Sequence, residues 1–295
     1  MHKIEDPMQE ELAASNITFV EKVIGFVDVL GFSNLVEKAE SGNGMRLDRL
    51  LELLKSLGSP ADRDRFVQHG PMMCPQSACN QRDLDFRLTQ ISDCVVVSSE
   101  VSPAGVINLL NHCWSAVIRL LQDGLMCRGY ITIGKIYHTD FQVIGTGYQR
   151  AYQAERNVAA FRREADDRGT PFVEVDKAVT DYITNCDPCV KEMFSRMVKA
   201  DGGDLVALFP FKRLAHAFVI TGNRPLDTEK ERRSNQNVRS IIHRLEDQVR
   251  NFVDNDNPAA VRKAEHYLRS LDAQLVVCDR TEAFLNQFDS RPSDS

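Results

Sequence analysis

The chain has 295 residues, 43% of them hydrophobic, and sets 36 basic against 42 acidic side chains for a net charge of −6. That length builds one large domain, or a domain with an appendage, around a sizeable core. The acidic balance excludes broad electrostatic binding to nucleic acid or an anionic membrane, while a small polyphosphate arriving with divalent cations remains compatible.

Residues 17–29 read as a strand, and the stretch Ile24-Gly25-Phe26-Val27-Asp28-Val29-Leu30-Gly31-Phe32-Ser33 ends it with one carboxylate followed by a Gly-Phe-Ser turn. A carboxylate at a strand end, followed by outward-pointing turn amides, suits a metal–polyphosphate ligand. The plainer alternative makes Asp28 a helix N-cap. Leu35, Val36, Leu47, Leu50, Leu51 and Leu54 predict a helix over 33–57. Residues 58–84 combine Gly, Pro and charge, and read as a long excursion, either a lid or an ordered hairpin. Cys74 and Cys79 lie in it.

A second strand is predicted over 85–99. Val95, Val96 and Val97 put Asp93 on a buried central strand, where an ionised carboxylate needs a cation or donors; a hairpin-turn Asp93 is the alternative. A helix over 104–122, a strand over 127–137, a short strand over 141–145, a helix over 147–163 and a strand over 172–175 follow. Residues 177–198 read as largely helical and 204–209 as the last strand. Long charged helices are predicted at about 228–253 and 258–288, joined by Asn255-Asp256-Asn257-Pro258. The division expected is a body at 1–211 and a C-terminal helical extension at 212–295 for packing or dimerisation. Lys230, Arg232, Arg233 and Arg239 alternate with acids, as on a solvated helix face.

No apolar run approaches the roughly 18 to 20 residues that span a bilayer. The start, Met1-His2-Lys3-Ile4-Glu5-Asp6, lacks a signal peptide's apolar stretch, which points to the cytoplasm. Of the eight cysteines, Cys94, Cys113, Cys127 and Cys278 sit in apolar segments, as reduced buried thiols do. Cys186-Asp187-Pro188-Cys189 has Cys-x-x-Cys spacing; with Cys74 and Cys79 it offers a four-thiolate zinc site, against the alternative of four ordinary thiols.

Phe26-Val27-Asp28-Val29-Leu30-Gly31-Phe32-Ser33 resembles the Phe-x-Asp-Ile-x-Gly-Phe-Thr signature of class III nucleotidyl cyclases, and Ile91-Ser92-Asp93-Cys94 resembles their second Gly-Asp element. Arg128-Gly129-Tyr130-Ile131-Thr132-Ile133-Gly134 is similar to the family's Arg-Val-Gly-Ile-His-x-Gly strand, and Ile144-Gly145 with the helix from Ala151 to Glu155 is similar to its Gly-x-x-Val-Asn-x-Ala-x-Arg helix. The resemblance runs from about residue 19 to 210 and is nearest to the pyrimidine cyclases of bacterial Pycsar antiphage systems. It implies an α+β, ferredoxin-like catalytic fold with a mixed sheet and flanking helices, here followed by a helical hairpin.

The resemblance further implies that Asp28, Asp93 and the Val29 carbonyl hold two divalent cations, Mn²⁺ or Mg²⁺, and that the turn amides of Gly31, Phe32 and Ser33 hold the terminal phosphates. The purine-reading positions match Thr89 and Gln142, neutral groups that favour a pyrimidine base, so UTP or CTP is the implied substrate. The transition-state Asn and Arg match Gln149 and Gln153, leaving Arg128, Arg150 or Arg156 as the replacement cation. Lys199 only loosely resembles a phosphate-binding lysine. One chain bearing both half-sites implies a homodimer with its active sites at the interface, no membrane or direct nucleic-acid contact, and a cyclic-nucleotide effector downstream. The alternatives are a purine cyclase and a cyclase-like nucleotide-binding module without turnover.

Overall fold

The computed structural model describes residues 17–59, 62, 73, 76–81, 83–164, 167–211 and 227–289. Its first half runs β1 (Val20–Val29), α1 (Phe32–Glu40), α2 (Leu47–Leu54), β2 (Arg87–Ile91), β3 (Cys94–Glu100), α3 (Pro103–Gln122) and β4 (Cys127–His138). These strands lie in the order β2-β3-β1-β4, every neighbour antiparallel. This is the βαββαβ arrangement of the ferredoxin-like motif. β5 (Val143–Ile144) folds back onto the end of β4, and α4 (Thr146–Glu155) follows.

The sheet then becomes mixed. β6 (Val173–Val175) joins β4 in parallel, and after α5 (Lys177–Thr184) and α6 (Pro188–Met197) come β7 (Val198–Ala200) and β8 (Val206–Leu208), with β8 between β6 and β7. α7 (Thr228–Phe252) and α8 (Pro258–Asp289) form the C-terminal hairpin. The α+β class, mixed sheet and closing hairpin are as the sequence led us to expect.

Alternation along β1 sets the two faces of the sheet. Val23, Val27 and Val29 join Val95, Val97 and Ile131 in the main core with Leu109, Leu110 and Cys113 of α3. Ile24 and Phe26 point the other way, packing with Val96, Ile136 and Ala151 of α4. α4 sits tight on this face because Gly134 and Gly147 meet backbone to backbone; a Cβ on Gly147 would fall 2.4 Å from Ile24 Cδ1 and 3.1 Å from Gly134 Cα.

α3 starts cleanly, with Ser102 Oγ accepting from Gly105 N–H at 3.0 Å and Pro103 in the first turn. Its 20 residues are long and apolar enough to cross a membrane by length and composition, which corrects the expectation that no such run exists; most of that run is buried inside the fold.

Several predicted elements are shorter or divided. The 85–99 strand is a hairpin with a two-residue turn at Ser92 and Asp93, Ser92 taking φ 54°. Asp93 is therefore the turn residue of the alternative reading, and Asp28 lies in β1 rather than capping a helix, whose N-cap is Gly31. The 33–57 helix breaks between Ser41 and Arg46, where Gly42 adopts φ 72°. α4 stops at Glu155 because buried Glu174 draws the amides of Ala159 (2.9 Å) and Ala160 (3.0 Å) out of helical register. Asp187 divides the 177–198 segment by capping α6, accepting from Val190 N–H at 3.0 Å ahead of Pro188.

The hairpin packs through a second core, in which Ile242, Leu245, Val249, Ala264, Tyr267 and Leu271 meet Phe172, Phe209 and Phe211 of the body. Its basic cluster is not simply a solvated face. Arg232 reaches Glu282 (2.9 Å) and Asp289 (2.7 Å), and Arg239 reaches Asp279 (2.5 Å), tying α7 to α8. Most of the 58–84 excursion, Cys74 included, lies outside the described residues. Cys79, Cys186 and Cys189 form no disulfide, and among the described residues no group of three or more His, Cys, Asp or Glu is set to hold a metal.

Candidate active site

β1 brings Asp28 to the end of the sheet between two strands, opposite Cys94 of β3 and Arg128 of β4. Val29 N–H donates to the Asp93 carbonyl at 3.1 Å, which fixes the β2–β3 turn against the end of β1. The two aspartates thus meet at one sheet corner, both half-buried.

Their electrostatics show the crowding. The Asp28 carboxyl is pushed from 3.8 up to about 7, first by burial, then by Glu155, then by Asp93, against the pull of Arg128 and Lys263. Burial, Asp28 and Asp93 likewise push the neighbouring Cys94 thiol up to about 12. Cys94 stays protonated and donates to Ile91 O at 3.0 Å.

Glu155 is the acid that sequence reasoning passed over as a functional group. It ends the buried α4 face of Gly147, Ala151 and Glu155 and forms an ion pair with Arg128 Nε. Gly169, at φ 65°, leaves room for the guanidinium; a Cβ there would lie 2.6 Å from Arg128 Nη1. Arg128 is a fixed strut beside Asp28, engaged with a protein carboxylate. The only sequence signal for Glu155 is its spacing of four from Ala151.

Beyond Asp28 the chain turns through Gly31 (φ 76°, ψ 10°) into α1, and no side chain caps that helix. Phe32 is buried in the main core and anchors the turn, while Gly31 and Ser33 are exposed. An uncapped helix N-terminus leaves its first N–H groups for solvent or an anion.

The remaining predicted residues lie farther out. Thr89 of β2 shares a cross-strand rung with Val96, its hydroxyl 3.0 Å from His138 Nε2 and 3.3 Å from Thr139 O. Ser98 Oγ lies 2.8 Å from His138 Nδ1. All three contacts are satisfied when Ser98 and Thr89 donate to His138 Nδ1 and Thr139 O and His138 Nε2–H donates to Thr89. Burial, then Lys22 and Arg87, push the imidazole down to about 4, so it is neutral. Gln142 is exposed in the adjoining loop, its N–H donating to Thr139 Oγ1 at 3.1 Å. Thr139 thus ties Thr89 and Gln142 to one loop just past the end of β4, the opposite end of that strand from Arg128.

Gln149 and Gln153 lie along the exposed side of α4 with Arg150 and Asn157. Arg150 donates to Ile133 O at 3.3 Å, and Arg156 donates to Tyr152 Oη at 2.9 Å. Lys199 lies over the Phe209 ring, 4.6 Å from its centroid. The cations that act on Asp28 within one chain are Arg128 of β4 and then Lys263 of α8.

The residues fit a divalent cation. Two carboxylates with a backbone carbonyl are hard oxygen donors, suited to Mg²⁺ or Mn²⁺, and the burial and then the like charge that raise Asp28 are both strains a cation would relieve. A set this small needs further oxygens from a phosphate ligand or water.

No protein-family model and no curated protein matches the sequence. Several solved structures overlap part of the chain, two of them as follows. The crystal structure of the catalytic core of a rhodopsin-guanylyl cyclase with converted specificity, in complex with ATPαS, shares 10% identity at a TM-score of 0.36 over 57% of this chain and 82% of its own. The structure of a bacterial light-regulated adenylyl cyclase shares 15% identity at a TM-score of 0.36 over 58% of this chain and 47% of its own.

Proposed function

We propose that this chain is a nucleotidyl cyclase that joins the 3′-oxygen of a pyrimidine nucleoside triphosphate, UTP ahead of CTP, to its own α-phosphorus, releasing pyrophosphate and a 3′,5′-cyclic nucleotide. The observation that carries the proposal is the meeting of Asp28 and Asp93 at one sheet corner beside the uncapped start of α1. Asp28, Asp93 and the Val29 carbonyl would hold divalent cations, which when bound acidify the ribose hydroxyl and neutralise the leaving pyrophosphate.

The amides of Gly31, Phe32 and Ser33 bind phosphate oxygens, as N–H groups with no internal acceptor do. Arg128, held by Glu155, keeps positive charge beside Asp28 and so favours its ionised form. Thr89 and Gln142 read the base with neutral groups; a Gln amide presents a donor and an acceptor, which suits either pyrimidine edge. Gln149 and Gln153 stand on an outward surface, as residues serving a partner's site would. We accordingly propose a cytoplasmic homodimer with two equivalent sites, whose product signals to an effector in antiphage defence, a role that rests on the motif resemblance alone.

Mass analysis of the products formed by the purified chain from a mixture of the four nucleoside triphosphates with manganese tests the proposal. A cyclic pyrimidine mononucleotide is expected. Cyclic AMP or GMP alone would overturn the pyrimidine assignment, and no cyclic product with any triphosphate would overturn the enzyme. The neutral Gln149 and Gln153 favour a second reading, a nucleotide-binding module without turnover. That module would bind nucleotide equally with and without divalent metal and release no pyrophosphate.

A further inference from the structure

Between the β1–α1 turn and the C-terminal hairpin lies a cavity of about 160 Å³, walled by Gly31, Asn34 and Lys38 on one side and by Asp254, Ala260 and Lys263 on the other. Asp254 is occupied with the hairpin corner: its Oδ1 accepts from Asp256 N–H at 3.2 Å and its carbonyl from Asn257 N–H at 3.1 Å. The lysines are the wall's two cationic groups.

Lys263 is held where it stands. Ala264 beside it and Tyr267 one turn on are buried in the second core, and His266 meets Asp167 at 3.0 Å. Its half-buried ammonium acts on Glu155, Asp167 and Asp28, while burial and then Arg128 lower its pKa from the usual lysine value. A cation kept partly out of water is costly, and acidic neighbours or a bound anion offset that cost. Lys199, the lysine the motifs singled out, is taken up by the Phe209 and Phe161 rings.

Resting on the cyclase reading, we propose that Lys263 is a substrate-binding residue delivered by the C-terminal hairpin: with Lys38 it receives the outermost phosphates of the nucleoside triphosphate, and then the departing pyrophosphate, in the cavity beside the Gly31 turn. The hairpin is then a wall of the catalytic cleft as well as a packing element. It supplies positive charge at the phosphate end, where the neutral Gln149 and Gln153 supply none.

The test is calorimetric titration of inorganic pyrophosphate, with magnesium, into the full chain and its K263Q and K263R variants. Loss of a charged hydrogen bond predicts about ten- to a hundredfold weaker pyrophosphate binding in K263Q, with most of the affinity restored in K263R. Binding of the matching nucleoside monophosphate should stay unchanged, which a merely structural defect would not allow. Pyrophosphate binding equal in wild type and K263Q, absent in wild type, or lost in parallel with monophosphate binding overturns the role of Lys263. Pyrophosphate binding does not depend on turnover. A wild-type chain that forms no cyclic product but binds pyrophosphate through Lys263 would therefore overturn the cyclase and leave the phosphate site standing.

Discussion

The amide of Val29 donates to the carbonyl of Asp93 across 3.1 Å, so the residue after one aspartate is bonded to the backbone of the other. The approach of the two aspartates' backbones is thereby built into the sheet. D28N and D93N should each lower turnover on the order of a hundred- to a thousandfold, the equivalent of several kcal/mol of transition-state charge stabilisation. Because the two act as one unit, the double variant should lose little more than either single one. Pyrophosphate release measures this, and turnover in either variant within tenfold of wild type would remove the aspartates from the chemistry.

Asp28 and His138 give the metal-free protein opposite pH responses. With its carboxyl raised from 3.8 to about 7, Asp28 in the folded state holds a proton that the unfolded chain has released. Its contribution is complete below the lower value and lost as pH rises through the higher one. His138, lowered from 6.5 to about 4, stays neutral where the unfolded imidazole charges. That contribution is complete above 6.5 and lost as pH falls through 4. Thermal melts in chelator should show D28N more stable than wild type at pH 8 by about 1–2 kcal/mol after discounting for solvent screening, a few degrees in Tm. Divalent metal should raise the wild-type Tm most above neutral pH and leave D28N nearly unmoved. Equal melts for the two proteins in chelator across this range would contradict the crowded-carboxylate account.

Arg128 and Glu155 form a buried pair, their side chains only 17% and 4% exposed. Removing one partner strands the other, so R128Q should cost about 3–5 kcal/mol in urea unfolding, while R128Q/E155Q should recover most of it. If R128Q unfolds at the wild-type midpoint, the pair does not fix the strut beside Asp28.

What the sequence made legible was local. Asp28, its turn and the α1 start lie in ten consecutive residues, and strand, carboxylate and glycine each carry their own signal. Asp93 reads from the sequence as an acid on a central strand or in a hairpin turn, and the structure selects the turn. Val95 to Val97 continue an apolar run, and the turn is made by Ser92 in a left-handed conformation that normally announces itself with Gly or Asn. Glu155 and Lys263 gave no such signal. Glu155 acquires its role only because Gly134 and Gly147 let α4 settle onto the sheet. Lys263 acquires its role because Ala264 and Tyr267 seat α8 against the aromatic core. Both effects are tertiary, and an amphipathic pattern records which face is buried but not what it is buried against.

A homodimer with shared sites makes a prediction that a self-contained monomer does not. Asp28 and Asp93 lie at the sheet corner, while Gln149 and Gln153 lie on the exposed side of α4, so the two sets serve one reaction only if a second copy brings its α4 to the first copy's aspartates. D93N and a Q149A/Q153A variant should each be nearly inactive alone. Mixed and allowed to exchange subunits, they should regain turnover, because each heterodimer contains one site with neither defect. The recovered rate should rise with the square of total protein concentration in the range where dimers dissociate. A mixture no more active than the sum of its parts, from subunits that do exchange by native mass spectrometry, would confine each site to a single chain and require Gln149 and Gln153 to be dropped from it.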